Sequence, residues 1–402
     1  MAVSTLLNDV RIASIGSLNV DLIAFCNHFP SPGETLIGNA FEMGPGGKGA
    51  NQCACAALLS TPSTTTPNIP LQRVAMIGAV GDDLFGSNYL KSFQNSNVII
   101  DLVEIIPNIS TGVAPITVDS KGENSIIVVP GANNKMTIID TLSKLDKLLN
   151  LKCSLFQLEI PKEVTLACMK KCYERGIITF FTPAPVPPDG LLDDFFKYSS
   201  IVIPNLIEAI QLSRGNKKED DDDDDDDESK RDDDKLYSIS QRKAIKAALC
   251  ILKKGAKAVC VTLGNEGVVV VMNNTTHTPI NNNDYKILAI YAPKVSTVID
   301  TTGAGDAFSG AFAYFYSYYM CKNENEILST TTTTTTTISS TTKQVLSKVD
   351  LDWTILVNAA KRAVYIASLT VMKKGTQSSY VKREEVSDDL WMNNDWCIPE
   401  RI

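Results

Sequence analysis

The sequence predicts an α/β fold of three layers, with helices on both faces of a mainly parallel sheet. Three observations lead there. Short apolar runs recur along the chain, each ended by glycine, proline or a polar turn, with segments of helical pattern between them. Two glycine-bearing turns, around Gly46 and Gly303, open directly into helices of small residues. A third passage, Thr111 to Asp119 and Asn124 to Val129 around Ser120-Lys121-Gly122-Glu123, reads instead as a hairpin. The 402 residues, 44% of them apolar, suffice for one large domain of this kind.

Val10 to Gly16 reads as the first buried strand, and Ser17 to Ile23 continues it with polar residues at alternate positions. Period two puts Asn19 and Asp21 on one face, where an amide and a carboxylate together can take neighbouring hydroxyls; a half-exposed edge strand would carry the same pattern. A turn-rich passage, Phe29 to Thr35, leads to Gly44-Pro45-Gly46-Gly47-Lys48-Gly49-Ala50-Asn51-Gln52. Gly44, Gly46 and Gly49 satisfy G-x-G-x-x-G, but no acid for a ribose follows about 20 residues on, which argues against a dinucleotide site. Ala50 stands where a Walker loop requires lysine. What these glycines offer is close backbone approach to a ligand ahead of a helix from about Ala50 to Leu59, with Lys48 and Asn51 facing that ligand.

Arg73 to Val80 reads as a second core strand, with a turn at Gly81-Asp82-Asp83 and a helix from Leu84 to about Gln94. Cys153 to Glu159 is a buried strand ending in a carboxylate, and ligands of doubly wound sheets bind beyond such ends. Ile177 to Phe181 and Ile201 to Ile203 repeat the strand-then-turn pattern, the latter running into Asn205-Leu206-Ile207-Glu208, which reads locally as a helix N-cap with glutamate at N3. A helix from Ser238 to Lys254 stops at Gly255, ahead of a strand at Ala258 to Gly264, a turn at Asn265-Glu266-Gly267 and an apolar run from Val268 to Met272. A closing helix spans about Leu351 to Thr370.

Between them, an apolar run from Tyr291 leads into Val298-Ile299-Asp300-Thr301-Thr302-Gly303-Ala304-Gly305-Asp306 and a helix beginning near Ala307. If Gly303, Ala304 and Gly305 form a first helical turn, their amides lack intrahelical acceptors and make an anion site. Asp306 beside it could take a proton from an attacking hydroxyl; an ordinary helix start with an acidic first turn is the plain alternative.

The net charge of −8 is local: Lys217 to Lys235 holds thirteen acids against five bases, and the rest of the chain is balanced. No basic face suggests nucleic acid and no polybasic stretch suggests a membrane. About 215–235 is expected to be a disordered acidic insertion. The polar stretches Asn273 to Tyr285 and Thr330 to Thr337, the latter within a threonine-rich insertion at about 329–342, are assigned to surface loops. Ten scattered cysteines and only two histidines make a zinc site an unattractive reading and suggest reduced thiols. No apolar run reaches the roughly 20 residues of a bilayer span, so a cytoplasmic protein is expected, with the nucleus left open.

Asp300-Thr-x-Gly-Ala-Gly-Asp306 resembles the second signature of the ribokinase (PfkB) family of sugar and nucleoside kinases, and Gly46-Gly47-Lys48-Gly49-Ala50-Asn51-Gln52 resembles the first, in its ribokinase branch. Gly16 to Asp21, Pro32 to Thr35, Gly78 to Gly86 and Val129 to Asn133 are similar too, so the resemblance covers nearly the whole chain apart from the insertions. It implies a single ribokinase-like domain with a small β lid from about 17–44 and 110–129, often paired with a second subunit, so a homodimer is expected. It implies transfer of the γ-phosphoryl group of ATP to the 5-hydroxyl of D-ribose, with Asp306 as base and Gly303, Ala304 and Gly305 as anion hole. Sugar contacts fall on Asn19, Val20, Asp21, Gly46, Gly47, Lys48, Gly49, Asn51, Glu159 and Asp306. Nucleotide contacts fall on Asn205, Thr262, Leu263, Gly264, Asn265, Glu266, Gly267, Gly305 and Asp306, with Asn205 and Glu208 arranging Mg²⁺ and its waters. A monovalent cation, K⁺, would take Asp300, Thr302, Thr370, Lys373 through its carbonyl, Gly375 and Ser379. The polar residue that the family often places near adenine aligns with Val364. Another substrate of the same family, such as 2-deoxyribose, a ketohexose or a nucleoside, and a catalytically silent sugar-binding protein are the alternatives.

Overall fold

The computed structural model describes residues 3–62, 71–214, 237–274, 285–331, 350–393 and 395–402. Its strands are β1 (Val10–Ile15), β2 (Asn19–Phe25), β3 (Ala40–Gly46), β4 (Arg73–Gly81), β5 (Val98–Ile99), β6 (Val103–Ile106), β7 (Gly112–Val118), β8 (Asn124–Ile126), β9 (Cys153–Phe156), β10 (Ile178–Phe181), β11 (Ile201–Val202), β12 (Ala258–Thr262), β13 (Val268–Asn273) and β14 (Tyr285–Ile290). Its helices are α1 (Val3–Asn8), α2 (Lys48–Leu59), α3 (Leu84–Asn95), α4 (Ile138–Asp146), α5 (Lys162–Glu174), α6 (Asp193–Lys197), α7 (Leu206–Arg214), α8 (Ile239–Lys253), α9 (Ala304–Thr331), α10 (Trp353–Thr370) and α11 (Asp389–Met392).

The large sheet runs β14-β13-β12-β11-β10-β9-β1-β4-β5, with β6 also on β4. From β12 to β5 every pairing is parallel, and β13 and β14 close one edge as antiparallel strands. Parallel strands need both faces covered, which is why these runs are apolar at successive positions. Ile178 and Phe180 of β10 pack into one core with α2, α3, α9 and α10, while Phe181 faces the other core with α4, α5, α7 and α8. Those are the three layers. A second, smaller sheet, β3-β2-β7-β8, shares no strand with the first.

Helix boundaries follow local chemistry. Ser238 and Gln241 form a reciprocal capping box at the start of α8, and Gly255, at φ 115°, ends it. Asp83 caps α3 through the amide of Gly86, and Asp352 caps α10 through that of Ile355.

Two expectations change. The first strand does not continue through Ser17 to Ile23: the chain leaves the large sheet after Ile15, and Asn19 begins a strand of the small sheet between β3 and β7. Within the apolar run from Tyr291, Tyr291, Val298 and Ile299 are exposed, and the strand Tyr285–Ile290 just before it pairs with β13. The helix of the second glycine turn starts at Ala304 instead of Ala307 and extends to Thr331, taking in the first threonines of the run assigned to a loop. The acidic insertion, most of Asn273 to Tyr285 and the rest of the threonine run lie outside the described residues.

Candidate active site

In an open sheet, a crevice forms where neighbouring strands send their connections to opposite faces. Here β1 lies between β4 and β9, and the loops after β1 and β9 meet at their carboxyl ends. The Ser17 hydroxyl, just past β1, donates to Glu159 Oε2, just past β9, at 2.6 Å. The backbone amide of Lys48, the first residue of α2, donates to the same oxygen at 2.9 Å. Gly47 ahead of it sits at φ 87°, where a Cβ would lie 2.7 Å from the Asn19 amide, so the turn is open only to glycine.

Asn19 and Asp21 share a face of β2 as their spacing required, whereas Val20 between them packs into the main core and offers only backbone. Asn19 is braced from below: Asn133 Nδ2 donates to its Oδ1 at 2.8 Å and to the Leu18 carbonyl at 3.0 Å, while Asn133 Oδ1 accepts the Leu18 amide at 2.9 Å. The Asp21 carboxylate lies against the Cα of Gly46, where any Cβ would come within 2.2 Å of it. Burial, and then the charges of Glu159 and Asp306, push this carboxyl up to about 7. Lys48 runs the other way: Asp306 chiefly, with Glu159 and Glu208, holds its ammonium above the usual lysine range despite its burial. Gly49 completes the turn, its carbonyl accepting from the Ser14 hydroxyl at 2.7 Å.

The second glycine turn arrives from the far end of the chain. Gly303 sits at φ 76°, and Tyr380 donates to its carbonyl at 3.3 Å. Ala304 bonds back to Thr301 and Ala307 to Gly303, so the amides of Gly305 and Asp306 have no acceptor among the described residues. A Cβ added at Gly305 would meet nothing within 4 Å. An open space therefore lies before the positive end of α9, as an anion needs. Asp306, only 7% exposed, receives Asn51 Nδ2 on Oδ2 and Gln52 Nε2 on Oδ1, both at 3.0 Å. Residues 255 positions apart, one from each glycine-bearing segment, thus share a single hydrogen bond.

Asn205 and Glu208 form the reciprocal cap expected locally, each side chain accepting the other's amide at 2.9 Å. Glu208 is held above its ordinary range by burial, and it senses both Lys48 and Asp306, which sets this pair at the edge of the same crevice. Asn205 bridges to Thr262, and the loop Gly264–Glu266 is closed by the Leu263 amide on Gly267 at 2.8 Å. Gly264 and Asn265 are exposed, while the Leu263 side chain joins the second core. Glu266 is already engaged, accepting the Ser238 hydroxyl at 2.6 Å. Val364 is buried in the main core.

Asp300 accepts the amides of Thr302 at 2.9 Å and Gly375 at 3.0 Å. Burial would raise its carboxyl, but the Thr302 hydroxyl, these amides and nearby Lys374 outweigh it and hold it below the usual range. The Thr370 hydroxyl is turned back onto Ile366, leaving its carbonyl, which takes the Lys373 amide at 3.1 Å. Ser379 donates to the Thr376 carbonyl, and the Lys373 ammonium pairs with Glu385.

Sequence reasoning missed Ser17, Gln52, Asn133, Gln157 and Gln377. A lone amide at the end of an apolar strand, as at Gln157 just past β9, is the available signal, since buried polar groups seek partners.

The model of the pfkB family of carbohydrate kinases matches residues 10–383. The chain belongs to that family. Among curated pfkB-related proteins it is similar to a ribokinase of Lactococcus lactis, 35% identical over 76% of this chain and 83% of that one. It is also similar to a deoxyribokinase of Salmonella typhi, 30% identical over 95% of this chain and 99% of that one. Among solved structures, ribokinase from Giardia lamblia superposes with a TM-score of 0.70 at 26% identity, covering 95% of this chain and 98% of that one. In this pfkB kinase one crevice gathers the Gly303–Gly305 turn, the buried Asp306 carboxylate beside it, and Asn51, Lys48 and Glu159 from the other glycine-bearing segment and the end of β9.

Proposed function

We propose that the protein transfers the γ-phosphoryl group of ATP to the 5-hydroxyl of D-ribose, giving D-ribose 5-phosphate and ADP. The observation that carries this reading is the hydrogen bond between Asn51 and Asp306, because it joins the hydroxyl-binding segment to the carboxylate beside the anion turn. Asn19, Asp21, Lys48, Asn51 and Glu159, with backbone of Val20, Gly46, Gly47 and Gly49, hold the sugar. The 5-hydroxyl gives its proton to Asp306 as its oxygen bonds to the γ-phosphorus, and the bond to the ADP oxygen breaks. The amides of Gly305 and Asp306, in the turn from Gly303 and Ala304, face the charge on the moving group. Lys48, kept charged by the carboxylates around it, balances that charge further.

Asn205, Thr262 and Leu263 to Gly267 line the nucleotide side, Glu266 there being held by Ser238. Among the described residues no cluster of three histidine, cysteine or acidic side chains could hold a metal, so Mg²⁺ would come on the phosphates and take water-mediated contacts from Asn205 and Glu208, an oxygen pair suited to it. When bound it supplies charge neutralisation at the phosphates. The Asp300, Thr302, Thr370, Lys373, Gly375 and Ser379 loop, one carboxylate among neutral oxygens, fits K⁺ in the same sense. The small sheet acts as the lid, and its exposed Phe41, Met43, Ile126 and Ile127 favour a homodimer through it. Ten free cysteines fit a reducing cytoplasm. Among the described residues no helix is long and apolar enough to cross a membrane.

The Salmonella relative favours one second reading, a kinase of 2-deoxyribose. Sugar-dependent ADP release, measured with ribose and 2-deoxyribose and with and without K⁺, separates them: a higher kcat/KM for ribose is expected, and the reverse order overturns the assignment. Asp306→Asn is expected to lose at least about 10²-fold in kcat with ribose binding largely kept.

A further inference from the structure

A carboxylate can only accept hydrogen bonds, whereas a side-chain amide offers a donor at one end and an acceptor at the other. An amide that serves a carboxylate must therefore be held with its NH₂ end forward. Turned round, its carbonyl would face the negative charge. Asp306 is served by two amides, Asn51 on Oδ2 and Gln52 on Oδ1. Each is fixed by a further amide behind it. Gln157 Nε2 donates to Gln52 Oε1 at 2.6 Å, and Gln377 Nε2 donates to Asn51 Oδ1 at 3.0 Å.

Of the two rear residues, Gln377 is itself held by a further bond. Gln377 also donates to the Tyr89 hydroxyl at 2.9 Å, and that hydroxyl is anchored on the Gly46 carbonyl at 2.5 Å. Gln52 spends its second amide hydrogen on Thr182 at 3.2 Å, and Thr182 in turn meets Ser309 of α9 at 3.2 Å. Gln157 is fully buried, and its Oε1 has no hydrogen-bond partner among the described residues. It points at Gly16, where a Cβ would approach it to 2.2 Å. An orphaned buried carbonyl is a rare feature in a native interior and calls for a reason. Facing its amide toward Gln52 is that reason.

We propose that Gln157 and Gln377 are positioning residues for Asp306, acting through Gln52 and Asn51 as two relays that each present an N–H to one carboxylate oxygen. The relays leave the remaining lone pairs of Asp306 toward the crevice, where the 5-hydroxyl proton is taken. The inference rests on Asp306 being the base, and a double-mutant cycle tests it. Gln157→Met keeps the shape and removes the donor. It is expected to lower kcat by about three- to tenfold, the scale of a neutral hydrogen bond, with the sugar KM changed by less than about twofold. In an Asp306→Asn background it is expected to cost nothing further, because there is no longer a carboxylate to orient. A purely structural role would cost the same factor in both backgrounds, and that result, or an unchanged kcat in the native background, overturns the proposal. Should Gln157→Met fail to fold by circular dichroism, Gln377→Met on its half-buried loop decides by the same cycle. Near-normal turnover of Asp306→Asn alone would fault the base assignment instead.

Discussion

Asp21 should make sugar binding depend on pH near neutrality. Its carboxyl is pushed up from 3.8 to about 7 by burial, and then by Glu159 and Asp306, in the sugar-free protein. Two neighbouring hydroxyls of a sugar donate best to the ionised form, so binding should draw the proton off. If only that form binds, the apparent Kd is the intrinsic value divided by the ionised fraction: about 11-fold weaker at pH 6 and about 100-fold weaker at pH 5 than the high-pH limit. The same proton affects stability with the opposite slope. Between about pH 4 and 7 the native chain holds a proton that the unfolded chain has released, so rising pH lowers stability across that window, by at most about 4 kcal/mol, and has no further effect above it. The assay is calorimetric titration of ribose without ATP from pH 5.5 to 8, in buffers of different ionisation enthalpy, with Asp21→Asn as the comparison. Proton release on binding below pH 7 and a pH-independent, weaker Kd in the variant are expected. A flat Kd across that range in the native protein would refute the reasoning.

Gly303→Ala forces a left-handed residue to carry a Cβ that would lie 2.7 Å from Thr376 Cγ2 and 2.9 Å from the Tyr380 hydroxyl. Denaturant melts should show a loss of about 1–3 kcal/mol, and kcat should fall more than the sugar KM rises. Ser238→Ala removes the capping box of α8 and the hydroxyl that holds Glu266; a loss of about 1 kcal/mol is expected, with the ATP KM raised and the sugar KM unchanged in steady-state assays.

The central strands and the two glycine turns were legible because their signals are local. Apolar runs such as Val259 to Val261 are buried on both sides by helices and read the same in any context, and Ser238 with Gln241 carries its own cap. β14 was not legible. Tyr285–Ile290 follows a polar stretch, and its identity comes from the ladder it makes with β13. The break after Ile15 was hidden for a similar reason, since Gly16 to Leu18 continue an apolar-polar alternation while the chain crosses from one sheet to the other. In the site, Asn51 and Asp306 were legible as types of residue in glycine-rich turns. The amides behind them were not: Gln157 reaches Gln52 across 105 positions and Gln377 reaches Asn51 across 326, and no spacing rule spans such distances.

The Gly303 turn also opens α9, whose 28 residues span about 42 Å. Its opposite tip, at Thr331, is where the threonine tract takes over. A helix of that length sets the first threonines of the tract and the Gly303 turn at opposite ends of one element.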